Sequence, residues 1–116
     1  MRMKTARIGD YIVGDGHPCF ISLEAGATHT GLQSALELVR AAADAGADAV
    51  KFQTILADEL MADEDFEIAF ESASGKSQES VYNALKRREL TLEEWAEVKA
   101  FCDRRGLLFI STPSGF

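Results

Sequence analysis

Three stretches of the chain, Cys19 to Gly26, Ala49 to Thr54 and Leu107 to Thr112, are apolar at most positions, as strands covered on both faces must be. In the first, Ile21, Leu23 and Ala25 share one side and Phe20, Ser22 and Glu24 the other. In the second, Val50, Phe52 and Thr54 oppose Ala49, Lys51 and Gln53. Two longer stretches space their apolar residues by three and four. Leu32, Ala35, Leu36, Val39, Ala42 and Ala43 form one helical stripe; Leu92, Trp95, Val98, Phe101 and Cys102 form another. Thr30-x-x-Gln33 and Thr91-x-x-Glu94 read as capping boxes at the helix starts, and Gly46 and Gly106 as left-handed stops. Strand, helix and strand in this order predict βαβ units with right-handed crossovers, hence a parallel sheet. Pro113 is expected to stop the third strand.

Two segments depart from that rhythm. Ile8, Tyr11 and Val13 followed by Gly14-Asp15-Gly16 predict a hairpin within residues 1–18, with its turn at the glycines, lying as a lid over one end of the fold. Gly14-x-Gly16 lacks the third glycine and the following helix of a dinucleotide fingerprint. Residues 55–90 read as a long connection, of a length usually reserved for lids and binding loops. Asp58, Glu59, Asp63, Glu64, Asp65, Glu67 and Glu71 make its first half acidic. Without calcium-loop spacing, this is read as a solvated face. Ser72 to Gly75 is expected to turn, and Ser77 to Arg88 to form a short helix bearing Val81, Tyr82 and Leu85.

Length and charge narrow the function classes. A chain of 116 residues is at most one domain and falls short of the roughly 250 residues of a complete (β/α)8 barrel. Its net charge of -7 argues against general binding to nucleic acid or anionic membranes, so any anion site must be local. Cys19 and Cys102 are too few for a disulfide framework, and both are expected to be buried thiols in a reducing compartment. With no transmembrane-length apolar run and no signal-peptide block, the expected location is cytoplasmic.

The candidate chemistry gathers at strand ends. Glu24, Lys51, Gln53 and Thr112 fall at or near the carboxyl ends of three different strands, where parallel α/β sheets bind ligands. An ammonium within a sheet needs a partner. Lys51 therefore has three readings: binding a phosphate or carboxylate, forming a Schiff base, or pairing with Glu24. Glu24 beside it should stay ionised and could accept a proton. Gln53 offers a donor and an acceptor to a polyol, and Thr112 a donor to an oxyanion or a capping hydroxyl. His29 reads as a hydrogen-bonded structural histidine rather than a metal ligand.

The runs Phe20 to Gly31 (FISLEAGATHTG), Ala45 to Thr54 (AGADAVKFQT), Glu79 to Tyr82 (ESVY) and Phe109 to Pro113 (FISTP) resemble, in order and spacing, the start of the sialic acid synthase family. That family includes N-acetylneuraminate synthases and their legionaminate and pseudaminate relatives. The resemblance implies the N-terminal portion of a (β/α)8 TIM barrel: a single partial domain over 1–116, with the hairpin in 1–18 and the first three barrel strands in 19–116. It implies an enzyme that condenses phosphoenolpyruvate with an open-chain N-acyl amino sugar such as N-acetylmannosamine, giving a nonulosonic acid and phosphate. A divalent metal, Mn2+ or Mg2+, is implied too, with its ligands outside this chain. By motif, Lys51 and Thr112 would contact phosphoenolpyruvate, Gln53 the sugar, and Glu24 would be the catalytic carboxylate. Ser80 and Tyr82 would border the sugar site, although Tyr82 could equally be packing. Such a portion is expected to be inactive alone and to associate, as a homo-oligomer or through open sheet edges. A Schiff-base barrel enzyme and a non-catalytic anion-binding or assembly module are the alternatives.

Three positions depart from the family pattern. Thr28 stands where an asparagine usually precedes the histidine, Lys76 where some members have a sugar-contacting asparagine, and Ser114-Gly115 with the final Phe116 where Phe-Asp usually follows Ser-Thr-Pro.

Overall fold

A computed structural model describes residues 2–115, the side chains of Phe70 and Ser72 excepted; the departure at Phe116 lies outside the described residues. Its centre is a parallel three-stranded sheet in the order β3 (Ser22–Gly26), β4 (Ala49–Ile55), β7 (Leu108–Ser114). Helices α1 (Leu32–Asp44) and α4 (Leu92–Arg104) make the two crossovers and pack against one sheet face. There Val50, Phe52, Trp95, Val98, Val39, Ala35 and Cys102 form the buried core. The opposite face carries Glu24, Lys51 and Ile110 in one register row and Gln53 and Thr112 in the next. Paired residues of parallel strands point the same way, so the polar row stands away from the helices.

Local chemistry explains most of this. Thr91 caps α4 with a full capping box: its hydroxyl accepts from the Glu94 amide at 3.1 Å, and the Glu94 carboxylate accepts from the Thr91 amide at 2.8 Å. Both helices end in the same paired carbonyl closure. The Gly46 and Ala47 amides reach the Ala43 and Ala42 carbonyls, and the Gly106 and Leu107 amides those of Asp103 and Cys102. That closure aims the chain directly into the next strand.

Several sequence expectations are corrected. The hairpin pairs β1 (Thr5–Ile8) with β2 (Tyr11–Gly14), so its turn is Gly9-Asp10, not Gly14–Gly16. Gly14 ends β2 at a positive φ and must be glycine there, because the Lys4 carbonyl occupies the place where a Cβ would lie. The first buried strand begins at Ser22 rather than Cys19, and Cys19 is exposed. Cys102 is the buried thiol, with its pKa pushed up to about 11 by burial. Helix α1 is capped by Gly31 with no side-chain bond; Thr30 instead directs its amide to the Ser34 hydroxyl at 3.3 Å. Leu92, at the first position of α4, is 84% exposed and leaves the predicted stripe. β7 runs through Pro113 to Ser114, as a strand at the sheet edge allows a residue without an amide proton.

The connection 55–90 is structured rather than a loop. It contains α2 (Ala57–Leu60), an antiparallel hairpin of β5 (Glu67–Ser72) and β6 (Gly75–Ser80), and α3 (Val81–Lys86). The predicted helix from Ser77 is therefore strand up to Ser80, because the turn at Ala73-Ser74 folds residues 75–80 back onto β5.

Candidate active site

The polar face of the sheet is built from its central strand outward. Lys51 Nζ donates to Glu24 Oε2 at 2.7 Å across the β3–β4 register, with the side chains 35% and 53% exposed. Both residues are third in their strands, so the pair sits mid-strand, while Gln53 and Thr112 form the next row toward the carboxyl ends. The lysine bond, the largest influence, holds the Glu24 carboxyl below its usual range; partial desolvation opposes it and the Gly26 backbone assists it. Gly26 follows a bulge after Glu24, with φ of 50°, and a Cβ there would lie 3.3 Å from Glu24 Oε1. A residue without a side chain leaves the carboxylate room to turn toward Lys51.

The loop after β3 is firmly tied. The Thr28 hydroxyl donates to the Ala25 carbonyl at 2.7 Å, so the residue that departs from the family pattern still closes the turn next to Glu24. His29 is wholly buried, edge-on to Phe52 and Trp95 with ring centroids 5.7 and 5.3 Å away. Its Nε2 lies 2.7 Å from the Arg88 carbonyl and must therefore carry the proton that it donates. This is the structural histidine expected. Burial chiefly lowers its pKa from 6.5, so the folded protein binds this proton less readily than the unfolded chain. Its contribution to stability is complete above pH 6.5 and declines as pH falls below that value. Urea denaturation from pH 7.5 down to pH about 5 is expected to show a falling midpoint whose slope is reduced in His29→Gln.

Ser80 and Tyr82 belong to a second cluster. The Ser80 hydroxyl caps α3, accepting from the Asn83 amide at 3.1 Å. The Tyr82 hydroxyl donates to Asp58 Oδ1 at 2.5 Å, and Lys86 donates to Asp58 Oδ2 at 3.0 Å, with its ammonium 5.6 Å from the centre of the Tyr82 ring. These contacts hold Asp58 below its usual pKa, the tyrosine bond first, and raise that of Tyr82. Ser80 and Tyr82 line a recess with Glu64, Asp65, Glu67 and Glu79, and neither contacts Lys51 or Glu24 through a described hydrogen bond. Lys76 lies on β6 opposite Glu71.

Asp58, Glu89 and Arg88 were not legible as site-building residues. Asp58 sits in an acidic run that reads as solvated, and Arg88 follows Lys86-Arg87 in what reads as a charged helix end. Among the described residues, no group of three or more histidines, cysteines and carboxylates is placed to hold a metal ion. The residues present thus do not fit a divalent cation. No described helix is long and apolar enough to cross a membrane.

The N,N'-diacetyllegionaminic acid synthase of Legionella pneumophila is 39% identical over 100 residues, 85% of this chain and 28% of the relative. SpsE, the spore coat polysaccharide biosynthesis protein of Bacillus subtilis, is 35% identical over 111 residues, 95% of this chain and 29% of the relative. Its crystal structure superposes with a TM-score of 0.64 at 33% identity, over 93% of this chain and 27% of that one. The N-acetylneuraminic acid (sialic acid) synthetase of Leptospira borgpetersenii, crystallised with citrate, gives a TM-score of 0.76 at 28% identity, over 97% of this chain and 35% of that one. The chain thus spans under a third of the length of the curated relatives it matches. The NeuB family matches residues 38–116, which include Lys51, Gln53 and Thr112, and it is to the NeuB family that this chain belongs.

Proposed function

We propose that the exposed sheet face of Glu24, Lys51, Gln53 and Thr112 is part of the substrate site of a sialic acid synthase-like enzyme. The sheet would then be the first three strands of a (β/α)8 barrel, with that face turned into the lumen, in a cytoplasmic protein. The observation that carries the reading is the solvent-reachable Lys51 ammonium, paired with Glu24 at 2.7 Å on the sheet face opposite the core that packs against α1 and α4. An ammonium with one carboxylate partner retains donors for a second anion, here the carboxylate or phosphate of phosphoenolpyruvate.

In the proposed condensation, the methylene carbon of phosphoenolpyruvate bonds to the aldehyde carbon of an N-acyl amino sugar, whose oxygen takes up a proton. Water adds to the resulting cation, and carbon–oxygen cleavage releases phosphate. Lys51 and Thr112 would orient phosphoenolpyruvate, Gln53 a sugar hydroxyl, and the ionised Glu24 would face the sugar. Ser80 and Tyr82 would border the sugar from the connection 55–90. The family's divalent metal finds no fitting ligand set among the described residues, so no step is assigned to it. The same reading has the chain associate, as homo-oligomers or through the open edges of β3 and β7.

Incubating the purified chain with phosphoenolpyruvate, N-acetylmannosamine and Mn2+ is expected to release no phosphate, because the described residues supply only part of the site. Metal-dependent phosphate release would contradict the partial-site reading.

A further inference from the structure

The connection between β4 and α4 is apolar at its ends, where Ala57 is fully buried and Val81, Ala84 and Leu85 are half-buried, and open in its middle. Leu90 packs on the core at its far end, but Phe66 and Ile68 on and before β5 are 54% and 42% exposed. Among the described residues β5 pairs with β6 alone, and α3 packs mainly on β6 and α2. Polar bonds add to these contacts, and three of them meet at one residue. The Arg88 guanidinium donates from Nε to the Ala27 carbonyl, in the loop after β3, and from Nη1 to the Ala84 carbonyl, in α3. The Arg88 carbonyl accepts from His29 Nε2, 59 residues away in sequence and locked between Phe52 and Trp95. One residue thus joins α3 to the loop that begins at Ala27, three residues after Glu24, by its side chain and its backbone together. The Glu89 carboxylate adds a neighbouring tie, accepting from the Ala57 amide at 2.7 Å.

We propose that Arg88 is a positioning residue, a clamp that fixes α3 and the β5–β6 hairpin, and with them Ser80 and Tyr82, relative to Glu24 and Lys51. The planar guanidinium suits this role because its two edges serve two carbonyls from different elements at once. The inference rests on the reading of these four residues as parts of one site, but its first test does not.

Hydrogen–deuterium exchange of the whole chain, read by mass spectrometry, compares wild type with Arg88→Met, which keeps the apolar stem, and Arg88→Lys, which keeps the charge but not the two-edged geometry. In Arg88→Met, exchange over 58–87 is expected to rise about tenfold or more, with β3, β4, β7, α1 and α4 unchanged; Arg88→Lys should recover only part of the protection. The second readout is ligand-specific: N-acetylmannosamine should protect Ser80–Tyr82 in wild type but not in Arg88→Met, while phosphoenolpyruvate protects the β4 peptide in both. Unchanged exchange over 58–87 in both variants, or loss of protection across the whole sheet, would overturn the clamp. A wild type protected by neither ligand would count against the proposed function, with the first comparison still deciding the clamp.

Discussion

Truncating Phe52 to alanine is expected to lower the stability of the chain by about 3–5 kcal/mol, the largest effect of any single substitution considered. Phe52 is completely buried in the central strand, and its ring meets His29 and Trp95 edge-on and Phe109 in a stacked arrangement at 6.0 Å. The alanine would remove the apolar burial and three aromatic contacts together, and leave a cavity beneath both helices. Since small domains have only about 5–15 kcal/mol of net stability, much of the folded population should be lost. Urea denaturation followed by Trp95 fluorescence measures this. A loss below about 1 kcal/mol would mean that the aromatic cluster does not hold the sheet to its helices.

The second large effect is on ligand binding. Lys51→Met is expected to weaken phosphoenolpyruvate binding at least tenfold, about 1.4 kcal/mol, and to move stability by less than about 1 kcal/mol. The two responses separate because the Glu24–Lys51 pair is well exposed, so water screens most of its contribution to folding. The titration of Glu24 gives an internal check. Its folded pKa is depressed by the lysine bond, so the pairing is present above the ordinary carboxyl value of 4.5 and is lost as pH falls through the lower folded value. In Lys51→Met the Glu24 carboxyl, followed by 13C NMR, should move back up toward 4.5. A Glu24 titration unchanged by the substitution would mean that the pair does not form in solution.

How far the fold could be read from sequence depended on the range of the interactions involved. The parallel sheet, its two covering helices and the Glu24–Lys51–Gln53–Thr112 face follow from period and spacing, because each depends on residues within one element. The capping box of α4 was legible for the same reason. At α1 the equivalent signal at Thr30 failed because Gly31, at a positive φ of 125° that favours glycine, becomes the cap and the Thr30 hydroxyl plays no part. β6, GKSQES, has no apolar position, and β5, EIAFES, has only Ile68 and Phe70 at alternate positions inside an acidic run, so pairing rather than pattern defines the hairpin. The ties that Arg88 makes to Ala27 and His29, and Asp58 to Tyr82 and Lys86, span 24 to 61 residues, contacts that no local spacing encodes.

Anion binding by the Lys51 ammonium is central to the proposed substrate site. Titrating the wild-type chain, labelled with 15N-lysine, with phosphoenolpyruvate and observing the side-chain signals reports on it directly. The expected result is a saturable shift of the Lys51 signal, absent at the other lysines and abolished in Lys51→Met. No shift at Lys51 up to millimolar phosphoenolpyruvate, or equal small shifts at every lysine, would contradict the assignment of this face as a substrate site.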